Sequence, residues 1–147
     1  MTSPPIARII QLAVTDAVRA RAFPVLVQLR PHLTLEMFLA QARRQTDAVG
    51  WRLLTAEIDD RVVACAGFRV GEWLAWGKVL YVDDLVTDEH ARSGGHGGAL
   101  FDWMVAHARE NGCAALHLDS GVQRFGAHRF YLQKRMDITS HHFGMRL

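Results

Sequence analysis

The alternation of apolar and polar positions divides the chain into a short series of elements. Ile6 to Val14 is apolar and β-branched enough for a first strand. Thr15-Asp16 can cap a helix running toward Leu29, with Pro24 either ending its first part or kinking it, and Pro31 closes that segment. Thr34-Leu35-Glu36 opens a second helix, with Met37, Phe38 and Ala42 on its apolar face and Gly50 as its stop. The texture then changes to strands. Trp51 to Ile58 and Arg61 to Val70 read as a hairpin joined at Asp59-Asp60, and Lys78 to Thr87 as a further strand interrupted by two adjacent carboxylates. Leu100, Phe101, Met104, Val105 and Ala108 share one face of an amphipathic helix, Asp102 and Arg109 lie opposite, and Asn111-Gly112 stops it. Ala114 to Ser120 predicts a strand, Val122 to about Lys134 a helix, and Ile138 to Leu147 a last strand. This order predicts an α+β fold around one central mixed sheet.

Composition narrows the class without naming a chemistry. At 147 residues the chain suits one domain spanning 1–147, with room for a real core but not for two. Half of the residues are hydrophobic and 22% are charged, the balance of a folded soluble protein. The net charge of +2 comes from scattered basic residues, with no basic stripe of the kind a nucleic-acid binder shows. Cys65 and Cys113 sit in apolar stretches with no metal-ligand spacing around them, so reduced, buried thiols are expected. No run approaches the ~20 apolar residues of a membrane span, and the N-terminus lacks a signal-peptide pattern. A cytoplasmic protein without a membrane partner is the expectation.

The most informative segment is Arg92-Ser93-Gly94-Gly95-His96-Gly97-Gly98, between a strand and a helix. Glycines so dense would weaken a helix interior by roughly 1 kcal/mol each relative to alanine. They are useful where a ligand must touch the backbone. Without Cβ atoms, successive N–H groups converge into an anion-binding nest, and the following helix presents its positive dipole end to the same spot. A pyrophosphate is the natural guest. The spacing is not that of a Rossmann GxGxxG turn, and the lysine of a P-loop is missing.

The segment fits the Arg/Gln-x-x-Gly-x-Gly/Ala pattern of the GNAT superfamily at Arg92, Gly95 and Gly97, and its surroundings are similar to that family too. LYVDDLVTDEHAR resembles the family's fourth strand, ALFDWMVAHARENGCAALHLDSG its third helix and fifth strand, and AHRFYLQK its fourth helix. The resemblance covers Val79 to Leu147 closely and the N-terminal half in element order only. It implies the GNAT acyl-CoA N-acyltransferase fold, a mixed and mostly antiparallel sheet flanked by about four helices. There are departures: Arg135-Met136 stands where Gly-Phe is usual, Ser120 or Gln123 where asparagine is usual, and the tail is short for a closing hairpin.

The resemblance implies acetyl-CoA as co-substrate, and an amine of a small molecule or peptide as acceptor. Amide formation then demands a neutral amine, a stabilised oxyanion and protonation of the departing thiolate. Tyr131 is the implied acid, since a phenol of pKa near 10 can return a proton to a thiolate whose conjugate pKa is about 8.5. Asp83 and Asp84 are the candidate bases. Neighbours on a strand point to opposite faces unless a bulge intervenes, which leaves the choice between them open, with solvent as a third recipient. The resemblance implies backbone donors around Leu85, Val86 and Thr87 for the oxyanion and the pantetheine arm. Arg92, Ser93, Gly94, Gly95, His96, Gly97 and Gly98 would then hold the diphosphate, with Ser120 nearby. No histidine has zinc-ligand spacing, so no metal is expected. A Ser/His/Asp hydrolase built on Ser120, His128 and Asp119 lacks the GxSxG elbow. Trp51, Trp73 and Trp76 are candidates for an acceptor pocket, for core packing or for a homodimer contact. The alternatives to an enzyme are a noncatalytic acyl-CoA-binding module and a protein using the glycine turn for ADP or NAD.

Overall fold

Local rules account for several element ends in the computed structural model, which describes residues 7–147. The elements are β1 (Ile9–Ala13), α1 (Asp16–Leu29), α2 (Leu35–Val49), β2 (Arg52–Ile58), β3 (Arg61–Trp73), β4 (Gly77–Thr87), α3 (His96–Glu110), β5 (Ala115–Leu118) and α4 (Phe125–Gln133). Ile6 lies outside the described residues. Thr15 and Thr34 cap α1 and α2 through hydroxyls that accept from Val18 N–H at 3.3 Å and Met37 N–H at 3.2 Å. Gly50 ends α2 in the left-handed region at φ 71°, where a side chain would be strained. Asp59 and Asp60 both take positive φ, 49° and 61°, the turn that matches the twist of a two-residue hairpin.

The sheet order is β1-β2-β3-β4-β5, and the first four strands pair antiparallel in sequence. Helix α3 links β4 to β5 as a crossover, and the sheet is mixed. Strands β2 and β3 each hold an unbroken buried run, because helices cover both faces. On one face, Leu53 and Cys65 join Val25 and Leu26 of α1 and Phe38 and Ala42 of α2 in the core. On the other, Phe68 meets Trp103 and His107 of α3.

Five expectations are corrected. Pro24 does not end the first part of α1, since the helix runs through it to Leu29 as expected. Burial of the apolar face of α1 at Ala22, Val25 and Leu26 outweighs the bond the proline removes. Met37 is exposed, because the buried stripe of α2 follows Phe38 and Ala42, four residues apart. Helix α3 starts inside the glycine run, at His96, which leaves a shorter turn than the composition suggests. Cys113 is half-buried, while Cys65 is fully buried; both are free thiols. Residues 138–147 form no strand. A strand needs a partner edge for its N–H and C=O groups, and among the described residues no backbone hydrogen bond ties this segment to another.

The described residues group into two compact units, one running to His117 and the other from Leu118 to Leu147. No described helix is long and apolar enough to cross a membrane.

Candidate functional site

The two carboxylates of β4 are placed by an irregularity in its pairing with β3. Gly67 pairs with Asp84 but Phe68 pairs with Val82, so Asp83 is an extra residue, a β-bulge. The bulge brings both side chains to one face. Asp84 lies against Gly67, whereas the Asp83 carboxylate takes Arg69 Nε at 3.2 Å, and Gly67 and Arg69 share a face of β3 by alternation. Opposite faces, the expectation for a regular strand, are thereby corrected. Arg30, the residue that ends α1, clamps the bulge. Its Nε donates to Asp84 Oδ1 and its Nη2 to the Asp83 carbonyl, both at 2.9 Å. Burial pushes the Asp83 carboxyl above the usual range, and the Arg69 guanidinium opposes this only in part.

Thr87, at the end of β4, meets the start of α3: a Cβ on Gly97 would lie 3.1 Å from Thr87 Oγ1. Leu85, Val86 and Thr87 therefore lead from the bulge to the glycine turn. There Arg92, Ser93 and Gly94 form one turn of 3₁₀ helix, and Gly95 takes φ 72° to start α3. Among the described residues no side chain caps α3. The first N–H groups of a helix have no intrahelical partners, so the amides of His96, Gly97 and Gly98 are available to an anion at the positive dipole end. The Gly94 amide is not, since it donates to the Ala91 carbonyl at 3.2 Å.

His96 has a structural place under this turn. Its ring is buried and packs on Gly94, where an added Cβ would lie 2.9 Å from its Cδ2. Arg8 Nε donates to His96 Nδ1 at 3.0 Å, and Arg8 Nη2 donates to the Gly94 carbonyl at 2.8 Å. Burial, and then the Arg8 charge, lower the imidazole pKa, so the ring is neutral and can accept from Arg8. Arg8, Arg30 and Arg69 escaped sequence reasoning because each acts on a residue at least fourteen positions away and no local pattern marks it. Arg92 is exposed on the turn.

Ser120 and Tyr131 belong to the C-terminal unit. Ser120 Oγ is buried with no hydrogen-bond partner among the described residues. Tyr131 lies on α4 with its ring edge-on to Phe130, centroids 5.5 Å apart. Burial raises its phenol above the ordinary value, with Arg124 opposing, so it stays protonated at neutral pH. Among the described residues no three His, Cys, Asp or Glu side chains come close enough together to hold a metal ion.

Comparison with known proteins identifies the family and the fold. Residues 8–137 match the model of the acetyltransferase (GNAT) family. The chain is 31% identical over 115 residues to the uncharacterized N-acetyltransferase YhdJ of Bacillus subtilis (strain 168), covering 78% of this chain and 81% of that protein. Among solved structures, an aminoglycoside N-acetyltransferase, AAC(6')-Iy, in complex with CoA superposes with a TM-score of 0.87 at 12% identity, covering 100% of this chain and 99% of that one. A transcriptional regulator from Bacillus halodurans C-125 gives 0.81 at 21% identity, covering 96% and 100%. An acetyltransferase of Trypanosoma brucei gives 0.79 at 20% identity over the same shares. These structures share the fold, and the family model and the Bacillus subtilis relative carry the assignment: the chain belongs to the GNAT acetyltransferases, which use acetyl-CoA.

Proposed function

We propose that this chain, as one GNAT domain over 1–147, transfers the acetyl group of acetyl-CoA to a primary amine by direct attack in a ternary complex. The observation that carries the reading is the contact of Thr87 with Gly97. It joins the strand bearing both carboxylates to the start of α3, whose amides no side chain caps among the described residues. Those amides, uncapped and free of side chains at Gly97 and Gly98, suit a diphosphate. Residues Leu85 to Thr87 offer main-chain groups to the pantetheine arm and the developing oxyanion.

The amine nitrogen attacks the thioester carbonyl carbon and the carbon–sulfur bond breaks. Asp83 is the favoured acceptor for the amine proton, because its raised pKa brings it nearer to that of the group it must deprotonate. Tyr131 supplies a proton to the departing thiolate. A covalent relay through Cys65 is disfavoured, since burial pushes that thiol far above the range in which a thiolate forms.

The test is release of free CoA thiol from acetyl-CoA across a broad panel of amines. Turnover with at least one amine is expected, with no acetyl group left on the protein. A base must be unprotonated to act, so activity should rise with pH through a value above the ordinary aspartate pKa of about 4, and Asp83→Asn should remove that limb. Tight acetyl-CoA binding without turnover on any amine would instead favour a noncatalytic acyl-CoA-binding module.

A further inference from the structure

Among the described residues, Arg8 is the one side chain that hydrogen-bonds to the turn at 92–98, and it comes from the far end of the chain. It stands one residue before β1, yet its guanidinium spans two acceptors of the turn. Nη2 donates to the Gly94 carbonyl at 2.8 Å, and Nε donates to His96 Nδ1 at 3.0 Å. Arg8 is exposed, and the bond to Gly94 lies at the surface. Bonds so open to water add only modestly to folding stability, so their effect falls on the turn they hold.

The peptide that Arg8 holds is the sensitive one. Gly94 closes the 3₁₀ turn in the right-handed region, and Gly95 follows in the left-handed region at φ 72°. That succession aims neighbouring N–H groups into one concavity, a nest for an anion. The Gly94 N–H is engaged by the Ala91 carbonyl, which leaves the Gly95 and His96 N–H groups for a guest. The Gly95 N–H shares a planar trans peptide with the Gly94 carbonyl, so the two point in opposite directions. Between two glycines that peptide can rotate at little steric cost. Rotated by half a turn, it would present a carbonyl oxygen to a diphosphate in place of an N–H. Arg8 draws the carbonyl away, its Nη2 lying 3.9 Å from where a Gly95 Cβ would stand. His96 anchors the guanidinium at its second bond, and its buried ring packs on Gly94.

We infer that Arg8 is a positioning residue for coenzyme binding. Through the Gly94 carbonyl, with His96 as its second anchor, it locks the Gly94–Gly95 peptide in the orientation that offers the Gly95 N–H to the diphosphate. It acts from behind the turn and does not touch the coenzyme. A nest already formed needs no ordering when the ligand arrives, and that is where the affinity gain lies. The inference rests on the reading of this turn as the diphosphate site, and adds to it a residue from outside the glycine segment.

The full chain is titrated by calorimetry with 3′-dephospho-CoA, and pantetheine is measured by competition against it. The first ligand keeps the diphosphate and the second lacks it, so the ratio of their affinities reads the turn alone. Arg8→Met should cut the wild-type preference for dephospho-CoA about fivefold or more, with pantetheine affinity held within about twofold. Arg8→Lys keeps the charge but cannot bridge two acceptors with a rigid fork, and should lose the preference likewise. His96→Phe keeps a ring on Gly94 without the acceptor and should lower the preference by itself. Added to Arg8→Met, it should change the preference by less than about twofold, because its partner is already gone. An unchanged preference in Arg8→Met, a wild-type preference in Arg8→Lys, equal losses for both ligands, or additive losses from the two positions would overturn the inference. Should Arg8→Met fail to fold, Arg8→Lys alone decides. A wild-type chain with no preference for dephospho-CoA would contradict the diphosphate reading itself, and the inference with it, whatever the variants do.

Discussion

Tyr131→Phe is expected to lower kcat for acetyl transfer about a hundredfold or more while leaving the Kd for acetyl-CoA within about twofold of wild type. The ring and its packing against Phe130 survive the substitution, and only the hydroxyl is lost. A positioned general acid contributes typically 10²–10⁴-fold, and the partly buried phenol stays protonated until a thiolate needs its proton. Steady-state kinetics together with a direct binding measurement checks this. Equal losses in kcat and in affinity would reduce Tyr131 to a packing residue.

The second large effect belongs to the turn. Gly97→Val should weaken CoA binding by about ten- to a hundredfold, the value of one charge-assisted hydrogen bond at about 1.5–3 kcal/mol. The added branch would press on Thr87, 3.1 Å from the new Cβ, and cover amides that a diphosphate must approach. Pantetheine, which lacks the diphosphate, is the control. The ratio of CoA to pantetheine affinity should collapse in the variant, while a uniform loss on both would point to a distorted strand instead.

How much of this was legible in the chain depends on the range of the interaction concerned. Thr15, Thr34 and Gly50 act within one helical turn, and Asp59-Asp60 within a two-residue hairpin, so their roles could be read from neighbours. The glycine run was legible as the turn that precedes α3, but not where α3 begins within it. A first-turn glycine loses no hydrogen bond that a helix start would otherwise make, so composition does not mark the boundary. A bulge at Asp83-Asp84 was left open by the sequence, but not decided by it. It arises from the register of β3 against β4, which places Arg69, fourteen residues away in sequence, on one carboxylate, and from Arg30 at the end of α1 on the other. Alternation alone predicted a strand over Ile138 to Leu147, yet alternation describes a surface and does not supply a partner edge.

The most direct measurement is the electron density of crystals grown or soaked with CoA. The diphosphate should lie at the start of the third helix, its oxygens within hydrogen-bonding reach of the His96, Gly97 and Gly98 amides. A diphosphate held elsewhere, or density for CoA nowhere on the chain at saturating concentration, would contradict the account.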